Sequence, residues 1–166
     1  MAESCDHRKQ LESMLSASEP DVARRALLFH EFVVEVFSHA DFKVTILRFP
    51  APWIQYDQLP GYGLDLAVSS ADSELLLGGP ILVRVKYAEL LFPQATQETQ
   101  RLAHLIKDGW GVAGLLVILG QNRNAGFVLA EKPGILGITP HRLIGLLESN
   151  SLIATVAVTR EKVSPQ

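Results

Sequence analysis

An uninterrupted apolar run from Val112 to Leu119 constrains the fold of this chain more than any other feature. A run of this length and composition is typical of a β-strand that is covered on both faces, as the strands of parallel sheets are. The segment before it, Pro93 to about Asp108, has apolar residues at helical spacing, and Ile81–Tyr87 before that is typical of a strand. A strand, a helix and a strand in this order predict two parallel neighbouring strands. We therefore expect an α/β protein with a mixed sheet flanked by helices.

Further elements are predicted on both sides of this unit. The capping sequence Ser18–Asp21 and the apolar residues that follow it at helical spacing predict a helix over about 19–39. The alternating segments 43–49 and 62–69 predict two strands, and a turn at Gly78–Pro80 would join the second of them to the strand at 81–87. The other expected elements are a short helix in the first 17 residues, an aromatic loop over 51–61, a short strand over 127–130, a helix over 139–150 and a last strand over 152–158.

Length and composition exclude several classes of protein. The 166 residues suit a single domain, with a core at about 19–119 and a C-terminal addition at about 125–158. Cys5 is the one cysteine, which excludes an internal disulfide and a multi-thiolate metal site. The longest apolar run is far shorter than the ~20 residues of a membrane-spanning helix, and the N-terminus lacks the apolar segment of a secretory signal. We expect a cytoplasmic protein.

The glycine pattern, the histidines and the serines of this sequence give no positive evidence for a function. The residues Gly109–Gly114 match the glycine pattern of dinucleotide-binding proteins, but they close a predicted helix and precede a strand, which is the reverse of the required order. We interpret Gly109 as the residue that ends the helix. The histidines show no metal-ligand spacing, and no serine lies in a nucleophile elbow. These histidines are His7, His30, His39, His104 and His141.

The informative residues are Asp65, Arg84 and Lys86. Asp65 lies in the middle of a predicted strand, between leucines, where a lone carboxylate is costly unless it is paired or binds a cation. Arg84 and Lys86 lie on one face of the next strand because side chains alternate with a period of two. A hairpin would bring Asp65 close to both. The simplest interpretation is an ion pair between Asp65 and Arg84 or Lys86.

These residues and the order of elements resemble the PD-(D/E)XK superfamily, the restriction-endonuclease-like nucleases. The core of that family is a helix, three strands, a helix and a strand, the order predicted here over about 19–119. Its second strand carries an aspartate, in the place of Asp65, and its third carries acid–any–lysine, in the place of Arg84–Val85–Lys86. The resemblance also implies a glutamate on the first helix, for which Glu31 and Glu35 are candidates. It further implies a glutamine on the next helix, for which Gln97 and Gln100 are candidates.

The resemblance implies a metal-dependent hydrolysis of phosphodiester bonds. Asp65, a helix glutamate and the backbone carbonyl of Val85 would hold Mg²⁺ or Mn²⁺, while Lys86 would assist the attacking water. Arg84 departs from the family pattern, because it stands where the second carboxylate belongs and is itself a cation. Either a carboxylate has migrated, from Glu31, Glu35 or Glu89, or metal binding has been lost.

Three functions follow from these alternatives. The first is a metal-dependent endonuclease acting on DNA, or alternatively on RNA. The second is a catalytically inactive protein of the same fold that binds nucleic acid or serves as an assembly subunit, with Arg84 and Lys86 on backbone phosphate or Arg84 neutralising Asp65. The third is an interaction protein unrelated to nucleic acid, favoured by the net charge of −3 and by the aromatic residues Trp53 and Tyr56. A homodimer is compatible with each.

Two geometric predictions test these alternatives. The strands that carry Asp65 and Arg84–Lys86 should be adjacent and antiparallel, with the three side chains on one side of the sheet. The first long helix is apolar around most of its circumference, apart from a stripe that contains Glu31 and Glu35. We expect this stripe to face the Asp65 cluster.

Overall fold

The computed structural model describes residues 2–16, 22–47, 62–87, 92–118 and 134–161. Within these ranges the chain forms helices and strands that are interspersed along the sequence, as in an α/β protein. They are α1 (Ala2–Ser16), α2 (Val22–His39), β1 (Lys43–Ile46), β2 (Tyr62–Ser69), α3 (Ala71–Leu77), β3 (Ile81–Tyr87), α4 (Phe92–Lys107), β4 (Ala113–Ile118), β5 (Ile135–Ile138), α5 (Pro140–Glu148) and α6 (Leu152–Glu161).

The strands form one mixed, open sheet in the order β1-β2-β3-β4-β5. The pairs β1–β2 and β2–β3 are antiparallel, whereas the pairs β3–β4 and β4–β5 are parallel. The prediction that the strands beginning at Ile81 and near Val112 are parallel neighbours is therefore confirmed. So is the fold class, an α/β protein with a mixed sheet between helices.

The sheet separates two hydrophobic cores of unequal size. On the side we call the α2 face, Phe29 and Val33 of α2 pack with Leu66 of β2 and Val83 of β3, together with residues of α1, α3, α5 and α6. On the other side, the α4 face, Leu102 of α4 belongs to a smaller core with residues of the central strands. Strand β4 contributes alternate residues to both cores, Leu115 and Val117 to one and Leu116 and Ile118 to the other. This confirms that the apolar run is a strand covered on both faces.

The connection between β2 and β3 is longer than the predicted turn, because it contains helix α3. Ser70 begins this helix: its hydroxyl accepts from the Ser73 backbone, and the Ser73 hydroxyl accepts from the Ser70 backbone. Gly78 ends it in the left-handed conformation, with φ of 84°. Both signals are visible in the sequence, so this helix was predictable.

The expected last strand over 152–158 is wrong, because these residues form helix α6. The β-branched residues of the segment favour a strand locally. In the folded chain, however, Leu152, Ile153 and Val156 bury one helical face in the α2-side core. The hydroxyl of Thr155 donates to the carbonyl of Ser151, one turn earlier, at 2.8 Å. Tertiary packing therefore overrides local propensity here.

Several other predictions concern the ends of elements. Gly109 has a φ of 89° and directly follows the last turn of α4, which confirms that the glycine pattern ends a helix rather than opening one. The helix that begins after Thr139 is confirmed as α5, with the Thr139 hydroxyl accepting from the Arg142 backbone. Strand β5 was not predicted. The predicted cap at 18–21, the aromatic loop at 51–61 and the short strand at 127–130 lie outside the described residues.

Candidate functional site

The register of the sheet brings Asp65, Arg84 and Lys86 together. Strands β2 and β3 are adjacent and antiparallel, with Asp65 opposite Arg84 and Gly63 opposite Lys86. Because the flanking residues Leu66 and Val85 belong to the α2-side core, the alternation of side chains directs the three charged residues to the α4 face. The first geometric prediction is confirmed.

Helix α4 adds a second arginine, Arg101, to this group. Arg101 binds Asp65 with both ends of its guanidinium: Nη2 donates to Oδ2 at 2.7 Å, and Nη1 donates to Oδ1. Arg84 donates from Nη1 to Asp65 Oδ2 at 3.0 Å. The carboxylate of Asp65 is therefore held by two guanidinium groups, one from a strand and one from a helix.

Helix α4 also supplies a second carboxylate, Glu98. Arg84 Nε donates to Glu98 Oε2 at 3.0 Å, and Lys86 Nζ lies 3.0 Å from Glu98 Oε1. Since Arg84 binds Asp65 through Nη1 and Glu98 through Nε, one guanidinium bridges the two acids. We call these five residues the ion-pair network: Asp65, Arg84, Lys86, Glu98 and Arg101.

The network is buried and has an excess of positive charge. Asp65 is 8% exposed, and the other four members are 1% exposed. Three cations face two carboxylates, so the formal charge is +1. Burial lowers the pKa of Lys86 below its ordinary value, an effect that Glu98 opposes as an ion-pair partner and that Arg84 and Arg101 reinforce. Buried charges of this kind are tolerated only when each is paired.

Gly63 makes room for the network at the end of β2. A Cβ atom at this position would lie 2.4 Å from Nη2 of Arg84 and 2.5 Å from its Cζ. The guanidinium therefore rests directly over the glycine backbone. Any larger residue would force Arg84 away from its two carboxylate partners, so the close approach requires glycine at position 63.

The other predicted site residues lie elsewhere. Glu31 and Glu35 are exposed on α2, and α2 packs on the opposite side of the sheet from the network. The expectation that their stripe faces Asp65 is corrected: the buried face of α2 is its apolar one. Gln97 and Gln100 are on α4 but are exposed. Val85 is paired in register with Leu64 and Val117, between two strands. Glu89 lies outside the described residues.

Sequence reasoning missed Glu98 and Arg101. Helical spacing in this segment predicts a buried face that includes Thr99, Leu102 and Ile106, and Thr99 and Leu102 are buried. Glu98, Arg101 and Leu105 follow the same stripe at intervals of three and four residues, so helical spacing alone could have placed them beside it. Their charge argued for a solvated position, and only the complementary charges on β2 and β3 reverse that expectation.

A second cluster of ionisable groups lies on the α2 side of the molecule. His39 Nδ1 and His7 Nε2 share a hydrogen bond of 2.9 Å. One potential ligand atom from each of His7, Glu35 and His39 lies within 4.8 Å of the other two. The spacing of the histidines along the sequence does not reveal this arrangement, because His7 and His39 lie on different helices. Glu35 and His39 are four residues apart on one helix, which the sequence reveals, whereas His7 reaches them from α1.

No family model, curated protein or solved structure matches this chain. Within the described ranges, no helix has the length and apolar character that crossing a membrane requires.

Proposed function

We propose that this chain is a non-catalytic protein of the restriction-endonuclease-like class, which acts by binding rather than by cleavage, with DNA as its partner. The order α2, β1, β2, α3, β3, α4, β4 contains the core elements of this class with α3 as an additional helix between β2 and β3. It supports the class together with an aspartate and a lysine on one face of adjacent strands. The observation that carries the proposal is the engagement of both Asp65 oxygens by Arg84 and Arg101.

Metal binding at this site has an electrostatic obstacle. Arginine does not lose its proton in proteins, so Arg84 and Arg101 stay charged wherever the ion would bind. A divalent cation would join a network that already has a formal charge of +1, and it would have to displace guanidinium groups from Asp65. Mg²⁺ also keeps several of its waters and needs nearly octahedral space. These conditions favour a structural role for the carboxylates.

The resemblance to DNA-acting proteins, rather than the charge of the network, supports a polyanionic partner, because Arg84, Lys86 and Arg101 are buried and paired with carboxylates. Phosphate contacts by lysine and arginine supply most of the sequence-independent affinity for DNA. The proposal therefore expects duplex DNA binding that weakens as salt rises, measured by fluorescence anisotropy of a labelled oligonucleotide. If DNA binding does not change with salt, or if no DNA binding is seen at low salt, the protein is better described as an interaction protein unrelated to nucleic acid.

Cleavage assays test the inactive state directly. The chain is incubated with duplex and single-stranded DNA and RNA in the presence of Mg²⁺ or Mn²⁺, with and without a chelator, and Mn²⁺ binding is measured by calorimetry. We expect neither cleavage nor binding of Mn²⁺ at the network. Arg84→Glu restores the acid of the family pattern and should create Mn²⁺ binding. Arg142→Glu, which makes the same charge change at an exposed position of α5, is the matched control.

A metal-dependent nuclease is the second candidate, favoured by the position of Glu98. This residue places a second carboxylate on the face of Asp65, 3.0 Å from Lys86 Nζ, although it is not one of the glutamates considered first, which are Glu31, Glu35 and Glu89. If the protein is a nuclease, chelator-sensitive cleavage will disappear in Asp65→Ala, Glu98→Gln and Lys86→Ala, each shown to be folded by circular dichroism. Such a result would overturn the non-catalytic proposal.

A further inference from the structure

We infer that His7, Glu35 and His39 form a binding site for a zinc-class divalent ion, which ties helix α1 to helix α2. One ligand atom from each residue lies within 4.8 Å of the other two. Helix α2 contributes two of the ligands one turn apart, and α1 contributes the third. The site is independent of the ion-pair network and of the proposed binding function.

The two imidazoles are already close to ligand geometry. In a tetrahedral zinc site with Zn–N bonds of about 2.0–2.1 Å, two nitrogen ligands are about 3.4 Å apart. The observed separation of 2.9 Å between His7 Nε2 and His39 Nδ1 is that of a hydrogen bond, in which one nitrogen carries a proton. When the ion binds, the donor imidazole gives up this proton to solvent and takes one up at its other ring nitrogen, so that both facing nitrogens are free to bind the ion, and the pair opens by a few tenths of an ångström.

His7 is packed among neighbouring side chains, whereas Glu35 and His39 are accessible to solvent. His7 is buried, with its ring edge-on to Phe32 at 6.2 Å between centroids and stacked on His39 at 4.9 Å. Glu35 and His39 are exposed, so the ion can enter from solvent and a water can complete its coordination. The neighbouring Arg8 is paired with Glu148 at 3.0 Å, which offsets its charge near the site.

The ligand set selects the class of ion. Two imidazole nitrogens and one carboxylate suit Zn²⁺, Co²⁺, Ni²⁺ or Cu²⁺, whereas Mg²⁺ and Ca²⁺ prefer oxygen ligands. Three protein ligands with an open fourth position are the pattern of accessible zinc sites rather than of closed structural ones. The cation that this site takes is therefore different from the Mg²⁺ or Mn²⁺ expected for a nuclease.

The site is tested with Zn²⁺ and Co²⁺ on the full chain, without any histidine tag. We expect one Zn²⁺ per chain by calorimetry, the visible absorption of tetrahedral Co²⁺, and a melting temperature that rises with added Zn²⁺. Glu35→Gln and His39→Ala should each weaken Zn²⁺ binding by at least about tenfold, since loss of even an outer-shell partner of a metal ligand costs 10–100-fold. Both residues are exposed, so these variants should fold.

His141→Ala is the matched control. His141 forms an exposed pair with Glu12 at 3.0 Å, a histidine and a carboxylate like those of the proposed site but, among the described residues, without a second histidine. This variant should keep wild-type affinity, as should Cys5→Ser, which removes the thiol as a competing ligand. Equal Zn²⁺ affinity in Glu35→Gln, His39→Ala and the wild type would overturn the inference, and so would the absence of stoichiometric binding at 100 micromolar Zn²⁺, roughly the weak end of specific metal affinities.

Discussion

The two faces of the sheet bury different kinds of side chain. On the α2 face, five helices cover the strands with an apolar core that includes Phe29, Phe32 and Phe37. On the α4 face, the smaller apolar core gives way to the ion-pair network. Among the described residues, the buried Asp, Glu, Lys and Arg side chains are all members of that network, so none of them lies on the α2 face.

The two faces differ in how much their buried side chains contribute to net stability. Apolar burial stabilises a fold with no directional requirement. A buried ion-pair network gains little net stability over hydrophobic residues of similar volume, because desolvation cancels most of the attraction. The five charged residues of the network therefore contribute little net stability over apolar residues, and the predictions below separate the energetics of the network from those of the α2 face.

The largest loss of stability is expected when Asp65, the carboxylate shared by Arg84 and Arg101, is neutralised. Asp65→Asn leaves two buried guanidinium groups facing a neutral amide, and we expect a loss of about 3–5 kcal/mol in the free energy of unfolding, measured in urea. Asp72→Asn, an exposed carboxylate in the first turn of α3, is the control and should cost less than about 1 kcal/mol. A similar small loss in both variants would mean that the network is not a set of tightly coupled buried charges.

The next largest loss of stability is expected when Gly63 is given a side chain. Gly63→Ala places a methyl group 2.4 Å from Nη2 of Arg84, so the guanidinium must move, at a cost of about 1–3 kcal/mol. Gly145→Ala in α5 is the matched control, because its new Cβ meets nothing nearer than Arg8 at 3.9 Å. That change should be neutral or stabilise the protein by about 0.5–1 kcal/mol. Equal effects at the two glycines would remove the argument for close packing.

The coupling between Lys86 and Glu98 should be measurable in a double-mutant cycle. We expect Lys86→Met and Glu98→Gln to be less destabilising together than the sum of their separate effects, by about 0.5–3 kcal/mol, because each single change leaves a buried partner unpaired. The same cycle on Val83→Ala and Leu115→Ala is the control. Both residues belong to the apolar α2-side core, so this cycle measures the coupling energy of packing without charge. A Lys86–Glu98 coupling near zero would show that other contacts satisfy both groups.

The smallest effect is expected from the exposed ion pair of Arg8 with Glu148. The hydrogen bond from Arg8 lowers the pKa of Glu148, so the pair contributes stability above the ordinary carboxyl pKa of about 4.3 and loses it as pH falls through the lower pKa of the folded state. Because both side chains are partly exposed, Glu148→Gln should cost less than about 1 kcal/mol at pH 7 and nothing at pH 2. A larger loss, or one that persists in acid, would contradict this account.

The sequence predicted the central architecture because its signals are local. Strands β2 and β3 begin and end where alternation predicted, and the covered strand β4 follows from one apolar run. The pairing of Asp65 with Arg84 also followed from alternation and from the expected hairpin. Helix α6 was missed for a physical reason: its β-branched residues favour a strand until the α2-side core supplies a surface on which a helix can bury Leu152 and Val156.

Local pattern thus determined the types of the central elements from α2 to β4 apart from α3, the mixed sheet, and the shared face of Asp65, Arg84 and Lys86. Only the tertiary structure decided which helix completes each site. Helices α2 and α4 both have acidic residues and lie on opposite sides of the sheet, and nothing in either helix alone specifies the side on which it packs. The position of α4 therefore brings Glu98 and Arg101 to the network, while α2 carries Glu31 and Glu35 away from it and places Glu35 beside His7 and His39.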